Sequence, residues 1–168
     1  MKTLVIHPDD RSTDCLCAIY EGKGFDVLRK SMLNVVNLLP EYDRVIMLGH
    51  GSPMGLFSVG QFPGSYVIDS RAVPYLKNKP NIYVWCHASD FVEDHKLKGY
   101  ASGMFISEVA EGHWYKIAST QAAITKSNDH FSVLLGEHLE EPWKVAERYL
   151  NPECEVVKFN HARLKHFV

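Results

Sequence analysis

Asp43-Arg44-Val45-Ile46-Met47-Leu48-Gly49-His50-Gly51-Ser52 is an apolar run that stops abruptly at His-Gly-Ser. Bounded by Asp43 and a glycine, residues 44–48 read as a short strand buried on both faces. The design returns as Asn81-Ile82-Tyr83-Val84-Trp85-Cys86-His87-Ala88-Ser89, where a second strand, 82–85, delivers Cys86 where the first delivered His50. Two buried strands that each end in a reactive side chain decide the fold class. Open parallel sheets carry their functional groups in the loops beyond the carboxyl ends of the strands.

Outward from this pair, short apolar runs alternate with helical patterns. Residues 2–7 read as a strand, and Pro8-Asp9-Asp10-Arg11 as the turn that leaves it. A helix follows, capped by Ser12, Thr13 or Asp14, with Cys15, Leu16 and Ile19 inward and Gly22-Lys23-Gly24 as its stop. Strand 25–28 and helix 31–39 lead to the 44–48 strand. After His50, turn-rich Ser52-Pro53-Met54-Gly55 and Gly60-Gln61-Phe62-Pro63-Gly64 enclose short runs, and a hairpin or flap with exposed Phe57, Phe62 and Tyr66 is expected. Asp69 caps a helix through Leu76, Lys79-Pro80 breaks it, and Ser89 or Asp90 starts another to about Leu97. Residues 98–105 read as a weaker strand, 107–115 as a helix, and 117–123 as strand or loop. Asn128 and Asp129 cap an amphipathic helix to Leu139, Glu141-Pro142 opens another to Leu150, and 154–159 is expected as a final edge strand. The pattern predicts an α/β fold: a three-layer α/β/α sandwich with a mostly parallel central sheet.

The 168 residues, 46% hydrophobic and 11% aromatic, suffice for one sizeable core, so a single domain over 1–168 is expected. A formal net charge of −2 and a pI near 6.5 give no bulk attraction to nucleic acid or anionic membrane. Basic residues are scattered apart from Arg163-Leu164-Lys165-His166. The N-terminal apolar run is too short for a signal core, and no run approaches the roughly 18 apolar residues of a membrane span. A cytoplasmic location follows as an expectation. Cys15, Cys17, Cys86 and Cys154 are expected as reduced thiols, and Cys15-x-Cys17 has neither the spacing nor a partner pair for zinc. No metal or cofactor is expected.

A histidine and a cysteine on neighbouring strand ends suit nucleophilic catalysis. The thiol is mostly protonated at neutral pH, and an imidazole can take its proton or stabilise the thiolate. Acyl transfer also needs donors aimed at the developing oxyanion, for which the N–H groups of Gly51 and Cys86 are the candidates, with Gly51 allowing close approach of a substrate carbonyl.

An apolar strand, His-Gly, 36 positions, then a second apolar strand and Cys is similar to the caspase-like cysteine peptidases, the clan of caspases, metacaspases, gingipains, legumains and separases. Gly49-His50-Gly51 and Cys86-His87-Ala88-Ser89 look most like the metacaspase-type blocks. The resemblance covers some 45 residues of the chain well. It implies an endopeptidase acting on a peptide or protein substrate through an acyl-enzyme, with a His50/Cys86 dyad, the Gly51 and Cys86 amides as oxyanion hole, and no metal in the chemical step. The place two before the cysteine, acidic in metacaspases, is Val84 here, and Trp85 precedes Cys86 directly. The loop after the first strand, where the clan also draws pocket residues, offers Asp9 and Asp10 as binders of a substrate Lys or Arg. The chain is also shorter than a two-subunit caspase domain.

Each of these residues also has a plainer role. Asp9 and Asp10 fit a solvated turn and a helix cap, Trp85 fits the core as well as a site wall, and His87 fits a helix start better than a ligand. Two other functions remain open: a flavodoxin-like module binding phosphate or a small molecule at Gly49-His50-Gly51-Ser52, against which no glycine-rich phosphate loop is present, and a catalytically silent interaction domain that docks a partner through the flap.

Overall fold

The computed structural model of the chain describes residues 1–30, 35–58 and 65–168. Among these, the strands in chain order are β1 Thr3–Ile6, β2 Asp26–Leu28, β3 Arg44–Leu48, β4 Gly51–Ser52, β5 Gly55–Phe57, β6 Tyr66–Ile68, β7 Asn81–Val84, β8 Gly99–Ser102 and β9 Leu164–Phe167. Six form one sheet in the order β2-β1-β3-β7-β8-β9. Its first five strands are mutually parallel, and β9 closes the edge antiparallel to β8. The fold is therefore mixed α/β with a mostly parallel central sheet.

Both faces of that sheet are covered, which is why β3 reads as a continuous apolar run: Val45, Ile46, Met47 and Leu48 are all 0% exposed. Leu4, Ile6, Val45, Met47, Tyr83 and Trp85 pack on one side against Leu39, Leu76 and Phe91 and against Leu56 and Ile68 of the flap. Val5, Ile46, Leu48, Ile82, Val84 and Tyr100 pack on the other against Ile19, Phe131, Leu135, Val145 and Tyr149. A strand apolar on both faces has no in-out alternation to fix its register. Asn81, 1% exposed, supplies the missing constraint. Its Oδ1 accepts from Val45 N at 2.9 Å, while its Nδ2 donates to Leu76 O at 2.8 Å. The resulting register sets Leu48 beside Val84. Two residues beyond that pair on each strand stand His50 and Cys86.

Several expected elements change. The helices after β1 and before β3 are 3-10 turns, Arg11–Ile19 and Val35–Glu41; the expected 31–34 lies outside the described residues. Asp10, rather than Ser12, Thr13 or Asp14, is the cap of the first. Residues 117–123 contain no strand. Thr120 Oγ1 accepts from Ala123 N and opens a helix, Gln121–Glu137, a turn or two before the expected cap at Asn128 and Asp129. The expected edge strand at 154–159 is the helix Glu155–His161, because Val156, Val157 and Asn160 fall on one helical face and are buried. Asn160 locks it to the chain after β8, accepting from Ile106 N at 2.7 Å and donating to Ile106 O at 3.0 Å. The edge is taken instead by Leu164–Phe167, from the stretch expected only as a basic tail. The flap is a three-stranded antiparallel sheet, β4-β5-β6. Phe57, expected exposed, is only 6% exposed and packs on Tyr66 at 5.3 Å; Phe62 lies outside the described residues. None of the helices described is long and apolar enough to cross a membrane.

Candidate active site

The loops after β1, β3, β7 and β8 meet at the carboxyl rim of the sheet. Gly49 leaves β3 with φ +145°, a conformation costly for any residue with a Cβ. The side chain of His50, next along, is 10% exposed. Its Nε2 lies 2.7 Å from Ser12 Oγ, and Ser12 Oγ lies 2.8 Å from Asp10 Oδ1. Proton accounting orders this chain. A carboxylate only accepts, so the single hydroxyl proton of Ser12 goes to Asp10, and His50 Nε2–H must donate to Ser12 Oγ. In the neutral imidazole the lone pair then sits on Nδ1. Asp10 also accepts from Ser12 N at 2.9 Å. Burial by itself would raise the Asp10 pKa, but the two Ser12 hydrogen bonds, with His50 and His7 nearby, outweigh it and bring the carboxyl below its ordinary range.

A second polar layer supports the first. His7, 0% exposed, has Tyr20 Oη 2.9 Å from Nδ1 and Thr13 Oγ1 3.0 Å from Nε2, and Thr13 Oγ1 donates to Asp10 O at 3.0 Å. Burial, then the Arg29 charge, lower the His7 pKa to about 4, so it stays neutral. Arg29 Nη2 holds Asp9 at 2.9 Å and Asp14 at 3.0 Å. The carboxylates expected to receive a basic substrate residue thus have structural partners: Asp9 is tied to Arg29, and Asp10 caps a helix and orients Ser12.

The end of β7 is built differently. Trp85, 2% exposed, packs edge-on against Tyr83 and Phe91, and its Nε1 donates to Ser52 O at 3.0 Å. It both fills the core and walls the cavity beside Cys86. A Cβ on Gly51 would fall 2.2 Å from Trp85 Cδ1 and 2.4 Å from Gly55 O, so the room that Gly51 opens is taken by the indole and the flap rather than by a substrate carbonyl. Cys86 donates weakly to Phe105 O at 3.7 Å. Burial, followed by the nearby Glu111 carboxylate, pushes the thiol up to about 12. His87 is the left-handed residue (φ 67°) that starts the Ala88–Asp94 helix, its Nδ1 3.1 Å from Asp90 Oδ2.

His50 and Cys86 line one cavity of about 40 Å3, completed by Ser12, Cys15, Leu16, Val84, Trp85, Phe105 and Phe131 among others. Their hydrogen bonds run elsewhere: His50 to Ser12, Cys86 to Phe105. A wider cleft of about 520 Å3, lined by Arg11, Glu108, Gln121 and Asp129, shares Ser12, Cys15, Ser107 and Asn128 with the cavity and leads to the surface. All four cysteines are free, and among the described residues no group of three or more His, Cys, Asp or Glu could hold a metal ion. No family model matches the chain, and no curated protein matches it.

Ser12, Phe105 and Phe131 are site residues that sequence reasoning missed. For Ser12 a signal existed, since Asp-Arg-Ser at a helix start is a capping pattern that turns the hydroxyl toward the rim. Phe105 and Phe131 carry none, because both look like ordinary core aromatics.

Proposed function

We propose that the chain is a cytoplasmic cysteine-dependent hydrolase, an endopeptidase on a three-layer, caspase-like sandwich, in which His50 activates Cys86. The observation that carries this is the placement of both groups on one cavity at adjacent strand ends, with the His50 tautomer set by Asp10 and Ser12. Neutral His50 takes the Cys86 proton at Nδ1. The thiolate adds to the substrate carbonyl carbon, forming the C–S bond and an oxyanion; collapse breaks the C–N bond, and the amine leaves with the proton held by His50. Water, deprotonated in turn by His50, then attacks the thioester and returns the Cys86 thiol. The Cys86 amide is the natural oxyanion donor, since the Gly51 side is filled by Trp85.

A panel of fluorogenic peptides differing in the residue before the cleaved bond tests the assignment. His50→Ala is expected to lower kcat/KM by about 10²–10⁴, the usual contribution of a general base, and Cys86→Ala to abolish turnover. Turnover retained by Cys86→Ala would remove Cys86 as nucleophile. A catalytically silent domain of the same fold is the second possibility. It is favoured by the resting state of Cys86, a thiol kept protonated by burial and bonded to a carbonyl. Its mark is a folded protein that cleaves nothing in the panel and whose Cys86 takes no active-site-directed electrophile.

A further inference from the structure

Resting on the hydrolase assignment, we infer that the group accepted beside the reacting carbonyl is small, apolar and uncharged, of the size of an alanine side chain or a short aliphatic acyl chain. The cavity shared by His50 and Cys86 holds about 40 Å3, room for a few water molecules. Its inner wall is Leu16, Val84, Trp85, Phe105 and Phe131, and no Asp, Glu, Lys or Arg is among the described residues that line it.

Three carboxylates of the surrounding loops are already engaged. Asp9 is held by Arg29 at 2.9 Å, and Asp10 accepts twice from Ser12. Glu111 accepts from Ser107 N at 2.7 Å and Glu108 N at 3.1 Å. A lysine or arginine side chain entering the cavity would leave its charge desolvated with no carboxylate among the described wall residues to pair with, the unpartnered Asn128 Oδ1 being an uncharged acceptor, and an aspartate would find no Lys or Arg there. A phenylalanine-sized group exceeds the volume. The remainder of the substrate lies in the wider outer cleft, where Arg11, Glu108 and Asp129 face solvent-accessible space of about 520 Å3. Selection at the reacting centre is therefore by size and apolarity, with charge discrimination confined to the outer cleft.

The test uses the full chain and matched peptidyl chloromethyl ketones that differ only in the residue next to the ketone: Ala, Val, Lys, Asp or Phe. Cys86 sulfur displaces chloride, the C–S bond forming as C–Cl breaks and the thiol proton passing to His50. Labelling rates at Cys86 are read by mass spectrometry with peptide mapping. The Ala probe is expected to react at least about tenfold faster than the Lys, Asp and Phe probes, the scale on which a pocket discriminates against groups too large or too polar for it. Leu16→Ala, half-buried and so tolerant of truncation, is expected to narrow the gap between Phe and Ala; Phe131→Ala is expected to do so further if its thermal melt shows a folded protein. Lys or Asp reacting as fast as Ala at Cys86 would overturn the substrate class and leave the nucleophile intact. Absence of any probe from Cys86, with other cysteines labelled, would overturn the hydrolase assignment and the class with it.

Discussion

At the end of β3, His50 is held by a hydroxyl, a carboxylate and a second tier of buried polar groups reaching back through Thr13 to His7, Tyr20 and Arg29. At the end of β7, Cys86 sits among aromatic rings with one weak hydrogen bond. The two ends are adjacent in the sheet and share a cavity, yet one is specified by hydrogen bonds and the other by packing against apolar side chains. A base needs a fixed tautomer, which hydrogen bonds supply. On the proposed assignment, a nucleophile enclosed by apolar walls is protected from adventitious chemistry, at the expense of its resting reactivity. Trp85 joins the ends, with its indole against Gly51 and its N–H on Ser52.

The largest test of that division is Trp85→Ala. Removing a fully buried indole costs about 3–5 kcal/mol, and here it also frees β4 from β7. Urea denaturation is expected to show a loss in that range, with the Ser52 amide losing hydrogen-exchange protection. A loss under about 1 kcal/mol would mean that the two ends are anchored independently.

Opposite extremes of pH should attack the two ends separately. Below pH 6.5 an unfolded His7 binds a proton, while the folded one resists until about pH 4. The unfolded state then holds more protons, so stability contributed by His7 is complete above pH 6.5 and is lost as pH falls toward 4, by roughly 3 kcal/mol. His7→Gln is expected to flatten that slope relative to the native chain. Cys86 behaves in the mirror sense. Its thiol is raised from 9.0 to about 12 in the folded state, so its contribution is complete below pH 9 and disappears as pH rises toward 12. Cys86→Ala should diminish the alkaline loss and leave the acid slope alone. Equal effects of both variants at both extremes would break the comparison.

Much of this was legible in residue order. The runs at 44–48 and 82–85 announced buried parallel strands because burial on both faces leaves no alternation, and the rim placement of His50 and Cys86 followed from strand direction. What was not legible depends on partners distant in sequence. The Cys154–Phe159 stretch alternates enough to pass for a strand, and only the packing of Val156 beside Ile106, of Val157 in the core under the sheet, and of Asn160 on Ile106 makes it helical. Asp9 and Asp10 looked free for substrate because Arg29 and His50 are 20 and 38 or more residues away from their partners in the loop. The open room at Gly51 was read correctly as space but not as space already occupied, since a glycine does not record what stands over it.

The smallest effect is the most specific to His50. Ser12→Ala removes the acceptor of His50 Nε2–H and one of the two hydrogen bonds to Asp10, while the backbone N–H at position 12 still donates to the capping Asp10 carboxylate. A net loss of only about 0.5–1.5 kcal/mol is expected. The sharper readout is the imidazole itself. In the native chain at a pH where His50 is neutral, ¹⁵N shifts should report the proton on Nε2, because the Asp10–Ser12 chain accepts only there. In Ser12→Ala the proton should distribute over both nitrogens, and Ser12→Thr should restore the preference. A native His50 protonated on Nδ1 would mean that Ser12 donates to the ring instead of to Asp10, and would leave Nδ1 unable to take the Cys86 proton.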